Sequence, residues 1–120
     1  MGYDIHLTLR ANWWDDEGED ISAPEWRAVV EADPELVMIP SPQDWAGDVE
    51  VVLGEGQSDR WPLWWRDGRI STKNPGDAVI LKMCQVAKLL HARVQGDDGE
   101  RYEASVSGAT ERLVVVPWGP

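Results

Sequence analysis

Polar and apolar residues alternate without a break from Tyr3 to Arg10: Tyr3, Ile5, Leu7 and Leu9 fall on one side and Asp4, His6, Thr8 and Arg10 on the other. A period of two predicts a strand with one buried and one solvated face. The period lengthens after residue 20. Ser22 is a good N-cap and Glu25, three residues on, completes a capping box, with Ile21 placed to pack on Trp26. Trp26, Val29 and Val30 form the apolar stripe, and Asp33-Pro34 ends the helix because the residue before proline is pushed out of the helical region.

Short strands are predicted at Val37–Ile39 and 49–53, separated by a stretch containing Pro40, Pro42 and Gly47. Residues 61–66 and 69–72 flank Asp67-Gly68, a strong hairpin signal. Pro62 has no N–H for a ladder bond, which places it at a sheet edge or a bulge. A second helix is expected from Asp77 to about His91, with Asn74 as N-cap and Pro75 at the first helical position. Its apolar residues cover most of the circumference, interrupted by Lys82, Gln85 and Lys88 as a narrow polar stripe, so it packs deep against the sheet. His91 is placed to cap its C-terminal end. Residues 92–95 and 101–106 flank Gly96-Asp97-Asp98-Gly99-Glu100, a second hairpin, and 113–116 reads as a last strand. The pattern predicts a single α+β domain over residues 1–120: one antiparallel or mixed sheet of about five or six strands packed by two helices.

Charge narrows the range of partners. Eleven Lys and Arg face 22 Asp and Glu, a formal net charge of −11. Such a surface repels nucleic-acid phosphates and anionic lipid headgroups and attracts basic proteins. No apolar run approaches a membrane span and no apolar leader opens the chain, so it reads as a soluble cytoplasmic protein. Nothing in the pattern sets the oligomeric state.

Recognisable catalytic machinery is absent. Cys84 is the single cysteine and lies on the apolar helix, where a thiol is ordinarily inert core. Two histidines and one cysteine give no zinc spacing, and the acid runs at 15–20 and 97–100 lack the ligand alternation of a calcium loop. No phosphate loop, serine nucleophile motif or dinucleotide fingerprint appears, so no cofactor and no metal is expected.

Two groups of residues rise above this background. The chain has eight Trp, two Tyr and no Phe. Trp13-Trp14 adjoin Asp15, Asp16 and Glu17, in a run with five acids in six residues, and Trp64-Trp65 are neighbours in a strand. Strand neighbours point to opposite faces, so one of each pair is expected outward, where tryptophan ringed by acids suits a protein-binding hot spot. Trp13, Trp14, Asp15, Asp16, Glu17, Trp64 and Trp65 are therefore the candidate partner-binding residues. The alternative is a small enzyme or ligand-binding domain using the strand face of Asp4 and His6, where a carboxylate two residues away could orient the imidazole. Against it stands a simpler expectation, that His6 is a surface histidine on the solvated face.

Three blocks carry a resemblance: Met1-Gly2-Tyr3-Asp4-Ile5-His6-Leu7-Thr8, Trp64-Trp65-Arg66-Asp67-Gly68-Arg69-Ile70 followed by Lys73-Asn74-Pro75, and Ala92-Arg93-Val94-Gln95-Gly96-Asp97-Asp98-Gly99-Glu100. Together they resemble a family of small, largely uncharacterised bacterial proteins opening Met-Gly-Tyr-Asp-(Ile/Leu)-His. The resemblance implies no catalytic residues. By size and acidity the chain is also similar in type to bacterial immunity proteins that neutralise a toxin, which adds an inhibitor of a basic toxin or effector to the expectations.

Overall fold

A computed structural model describes residues 3–38, 49–52, 60–66, 68–107 and 110–117. The described elements run β1 (Asp4–Thr8), α1 (Ala23–Ala32), β2 (Leu36–Met38), β3 (Val49–Val52), β4 (Arg60–Arg66), β5 (Arg69–Lys73), α2 (Asp77–Leu90), β6 (Arg93–Gly96), β7 (Arg101–Ser107) and β8 (Thr110–Val116). The class is α+β, with two helices and one antiparallel sheet. The sheet has eight strands in the order β2-β3-β4-β5-β1-β6-β7-β8, not five or six. The excess comes from short runs such as the three-residue β2, each of which finds a hairpin partner. Ile39 and Leu53, expected at strand ends, lie outside the described residues.

Two meanders, β2 to β5 and β6 to β8, are joined by α2. The first strand inserts between them, pairing Leu7 with Ile70 on one side and with Val94 on the other. The side chains of Ile5, Leu7, Leu63, Ile70 and Val94 meet Trp26, Val30, Met83, Val86 and Leu90 of the helices in one core. No described helix is long and apolar enough to cross a membrane.

Ser22 is the N-cap of the first helix, and Glu25 bonds back to its hydroxyl where a capping box would use its backbone N–H. Ser22 Oγ accepts from the Glu25 N–H at 3.2 Å, while the Glu25 carboxylate accepts from the Ser22 hydroxyl at 2.9 Å. Asp33 terminates it in an extended conformation. The second helix starts at Asp77 as expected, but Gly76, not Asn74, is its N-cap, and Pro75 lies outside it. Asn74 is used otherwise. It adopts a left-handed φ of 47°, and its side chain accepts from the Tyr3 N–H at 2.8 Å, fastening the start of β1. At the other end His91 is the C-cap in a left-handed conformation, and its backbone N–H, which any residue would supply, donates to the Ala87 carbonyl.

Lys82 departs most from the polar stripe assigned to this helix. It is 6% exposed, with Nζ 2.6 Å from both Asp33 Oδ2 and Glu35 Oε1, because the turn after α1 brings both acids over the helix. Leu89, counted among the apolar positions, is instead 65% exposed.

Both hairpins form. Gly68 has φ of 77°, open to glycine at no steric cost, and a Cβ there would also collide with Asp20. Pro62 sits in an interior strand, opposite Glu50 of β3. The described β4–β5 register runs from Trp64 to Arg66, and at Pro62 the Thr72 hydroxyl donates to the proline carbonyl at 2.7 Å. Proline is accommodated where the ladder toward β5 is replaced by a side-chain bond.

Candidate functional site

The helix-free face of the sheet carries the polar half of each alternation. The registers place Trp64 opposite Ser71, Ser71 opposite His6, and His6 opposite Gln95, one row across four strands. The next row holds Arg66 opposite Arg69 and Thr8 opposite Arg93. This face was expected to be solvated. It is not: His6 is 8% exposed and Thr8 is fully buried.

The cover is the segment of residues 9–20, which leaves β1 and folds back over the strand it has just left. Gln95, itself fully buried, accepts from the Trp13 N–H at 2.8 Å and donates to Asn12 Oδ1 and the Gly99 carbonyl, both at 2.9 Å. Arg69 donates to the Trp13 carbonyl, and Arg93 to the Arg10 carbonyl at 2.8 Å. Within the segment Arg10 donates to the Asp15 carbonyl and pairs with Asp20. Asn12 N–H donates to Asp15 Oδ2 at 2.9 Å. A loop with so many acids would otherwise repel itself; here Arg69 and Arg93 at the starts of two strands, Arg10 within the segment and one buried glutamine hold it.

Pinned in this way, Trp13 lies flat on His6, with centroids 4.0 Å apart and planes 8° from parallel. The opposite edge of the imidazole meets the second hairpin: His6 Nε2 is 2.8 Å from Asp97 Oδ1, and Asp97 Oδ2 accepts from the Asp4 N–H at 2.8 Å. With a carboxylate oxygen as the acceptor, Nε2 is the donor in this contact. Asp97, read from sequence as part of a turn, is thus the residue that orients His6.

Asp4, His6 and Asp97 offer ligand atoms within 4.8 Å of one another, the one such group among the described residues. One imidazole nitrogen and carboxylate oxygens are donors suited to a divalent cation. Nε2 is already engaged by Asp97, so a metal would have to displace that bond. Asp4 Oδ1 and Trp13 Nε1 are buried with no hydrogen-bond partner.

Beside the stack opens a cleft of about 190 Å³ lined by His6, Trp13, Arg66, Arg69 and Ser71. Asp4 is not among its lining residues. Arg66, Arg69, Ser71, Gln95 and Asp97 were all missed in the sequence. A signal for three of them was present: the hairpin at Asp67-Gly68 sets Arg66 opposite Arg69, and alternation then puts Trp64 and Ser71 on the same face.

The seven candidate partner-binding residues do not form one exposed surface. Trp14 is 40% exposed, and Asp16 and Glu17 are exposed beside it, with Glu19 and Asp20. Trp13 and Asp15 are half-buried because they anchor the loop. Trp65 packs against the core and donates to the Ile21 carbonyl at 2.9 Å, whereas Trp64 is half-buried on the opposite face.

Cys84 is inert core. Burial, followed by the nearby Glu111 charge, pushes its thiol up to about 11. On the same side of the sheet as the helices, a second cleft of about 310 Å³ beside Cys84 and Tyr102 is also open to solvent; Lys88, Arg93 and Arg101 line it together with the Glu103 carboxylate.

No family model, curated protein or solved structure matches the chain.

Proposed function

We propose that the chain is a protein-binding module that docks its acidic, tryptophan-bearing loop onto a basic partner, as an immunity protein does to neutralise a toxin or effector. The observation that supports this reading is Trp14, exposed on a pinned loop and followed in the chain by exposed Asp16, Glu17, Glu19 and Asp20. Acidic residues around an aromatic anchor speed the encounter with a basic surface, and the buried ring then slows release. A loop already held by Gln95, Arg69 and Arg10 loses little freedom on docking, which leaves more of the contact energy for affinity. Asp15 and Trp13 act from within, setting the loop's shape.

The test is affinity capture from the source lysate, comparing the natural chain with Trp14→Ala and with Asp16→Ser/Glu17→Ser. A basic protein retained by the natural chain and lost by Trp14→Ala, with the acid variant weakened mainly at low salt, supports the reading. Equal retention by all three chains, or no retention by any, overturns it.

A further inference from the structure

We propose that the cleft beside the His6–Trp13 stack is a binding site for a small oxyanion, the phosphate or carboxylate group of a ligand. It is independent of the docking loop's outer surface, since its lining residues are His6, Trp13, Arg66, Arg69 and Ser71 and do not include Trp14.

The first argument is charge placement. In a chain of net charge −11, the register sets Arg66 and Arg69 opposite each other on adjacent strands, and both line the cleft. Arg66 donates from Nη1 to the Trp65 carbonyl at 2.7 Å, and an anion held between the two side chains is attracted by both. None of the described residues lining the cleft is a carboxylate.

The second argument is the supply of donors. Each guanidinium presents five N–H groups and no acceptor. Arg69 donates from Nη1 to the Trp13 carbonyl, which fixes the fork in place beside the cleft. Ser71 adds a hydroxyl from the row next to the arginines. His6 closes the end, held by Asp97 at Nε2 and by Trp13 across its face. Trp13, whose indole Nε1 is a buried donor with no acceptor, lines the same cleft. A fork fixed beside a hydroxyl is the arrangement that binds phosphate or carboxylate with two parallel bonds.

Size sets the class of ligand. About 190 Å³ is below the roughly 300 Å³ at which sites for drug-sized molecules begin, so the cleft receives one anionic group and not a nucleotide or a large cofactor.

The experiment is heteronuclear NMR of the full chain titrated with inorganic phosphate and, separately, with acetate, at constant ionic strength set by chloride. Saturable shifts confined to the Arg69 and Ser71 amides and the Trp13 indole N–H are expected. Response to phosphate alone assigns phosphate-bearing ligands, response to acetate alone assigns carboxylates, and response to both assigns the oxyanion without regard to its source. Arg66 is exposed, so Arg66→Gln leaves the fold intact and weakens binding about tenfold, the worth of one charge-assisted bond. Arg69→Gln weakens it at least as much, and Trp14→Ala leaves it unchanged. The absence of saturable shifts with either anion, or binding undiminished in Arg66→Gln, overturns the proposal.

Discussion

Trp13 lies parallel to His6 at 4.0 Å, although the tryptophan belongs to a loop and the histidine to a strand. The contact closes the helix-free face over a residue that alternation alone would leave in water. A stacked pair adds about 0.5–1.5 kcal/mol beyond the area it buries. Trp13→Ala is therefore expected to lower stability by about 2 kcal/mol, and Trp13→Phe by no more than about 1 kcal/mol, since a ring remains to cover the imidazole. Urea unfolding followed by circular dichroism measures both. A Trp13→Ala chain as stable as Trp14→Ala would show that the stack does not hold the loop.

The stack also marks where local pattern stops carrying information. Capping at Ser22, the stop at Asp33-Pro34 and the turns at Gly68 and Gly99 were legible because each depends on residues within a few positions of one another. The burial of His6 was not, because its cover depends on Gln95 reaching Asn12 and Trp13 from more than eighty residues away. Asn74 misled for a related reason. Asn-Pro before an apolar run reads as a helix start, but a distant strand, through the Tyr3 N–H, takes the asparagine side chain. Lys82 is the same case, taken out of solvent by Asp33 and Glu35 from another element, and Asp97, still one-third exposed, finds its partners in β1.

Lys82 ties acid stability to a single contact. Burial by itself raises the Asp33 carboxyl, but hydrogen bonds from Lys82 and the Glu35 N–H outweigh it and hold the group below its usual value. Burial likewise lowers the Lys82 ammonium, and the bonds to Asp33 and Glu35 outweigh that and raise it. A carboxyl with a depressed folded-state pKa contributes stability above its unfolded value, near 4, and that contribution is lost as pH falls through the folded value. Unfolding midpoints measured from pH 7 down to 2 are expected to fall below about pH 4, and Asp33→Asn is expected to flatten that limb. At neutral pH Asp33→Asn costs about 1–2 kcal/mol, Glu35 remaining to pair the ammonium. Lys82→Met, which removes the buried charge with little change of volume, costs less than Asp33→Ala.

Glu100 governs the alkaline side. Its Oε2 accepts from Tyr102 OH at 3.0 Å and from Tyr3 OH, the only two phenols in the chain. Burial first, and the bond to Glu100 second, push Tyr102 up to about 12, and the same causes raise Tyr3 further. An acid with a raised folded-state pKa contributes stability below its unfolded value, near 10, and that contribution is lost as pH rises through the folded value. Ultraviolet titration is expected to show no phenolate in the folded chain at pH 10. Glu100→Gln moves the titration down without restoring the ordinary value, because burial, the larger cause, remains. Gly96→Ala does the same indirectly, since a Cβ there would collide with the Glu100 carboxylate. Phenolate absorption at pH 10 in the natural chain would contradict the assignment.

Asp97 and Asp98 are neighbours in one turn with the same charge, and the structure gives them unequal roles. Asp97 accepts from Asp4 N–H and is bonded to His6 Nε2, whereas the Asp98 side chain is exposed. Removing the Asp97 carboxylate strands a ring nitrogen on a histidine that is 8% exposed, so Asp97→Ala is expected to cost about 1–3 kcal/mol. Asp98→Ala keeps its backbone N–H on the Tyr3 hydroxyl and is expected to change stability by no more than about 0.5 kcal/mol. Asp97→Asn falls between, because the amide can still accept from Asp4 N–H but no longer offers His6 a charge. Denaturant midpoints of the three variants measure the order. Equal costs for Asp97→Ala and Asp98→Ala would return Asp97 to an ordinary turn residue and leave His6 without the partner that orients it.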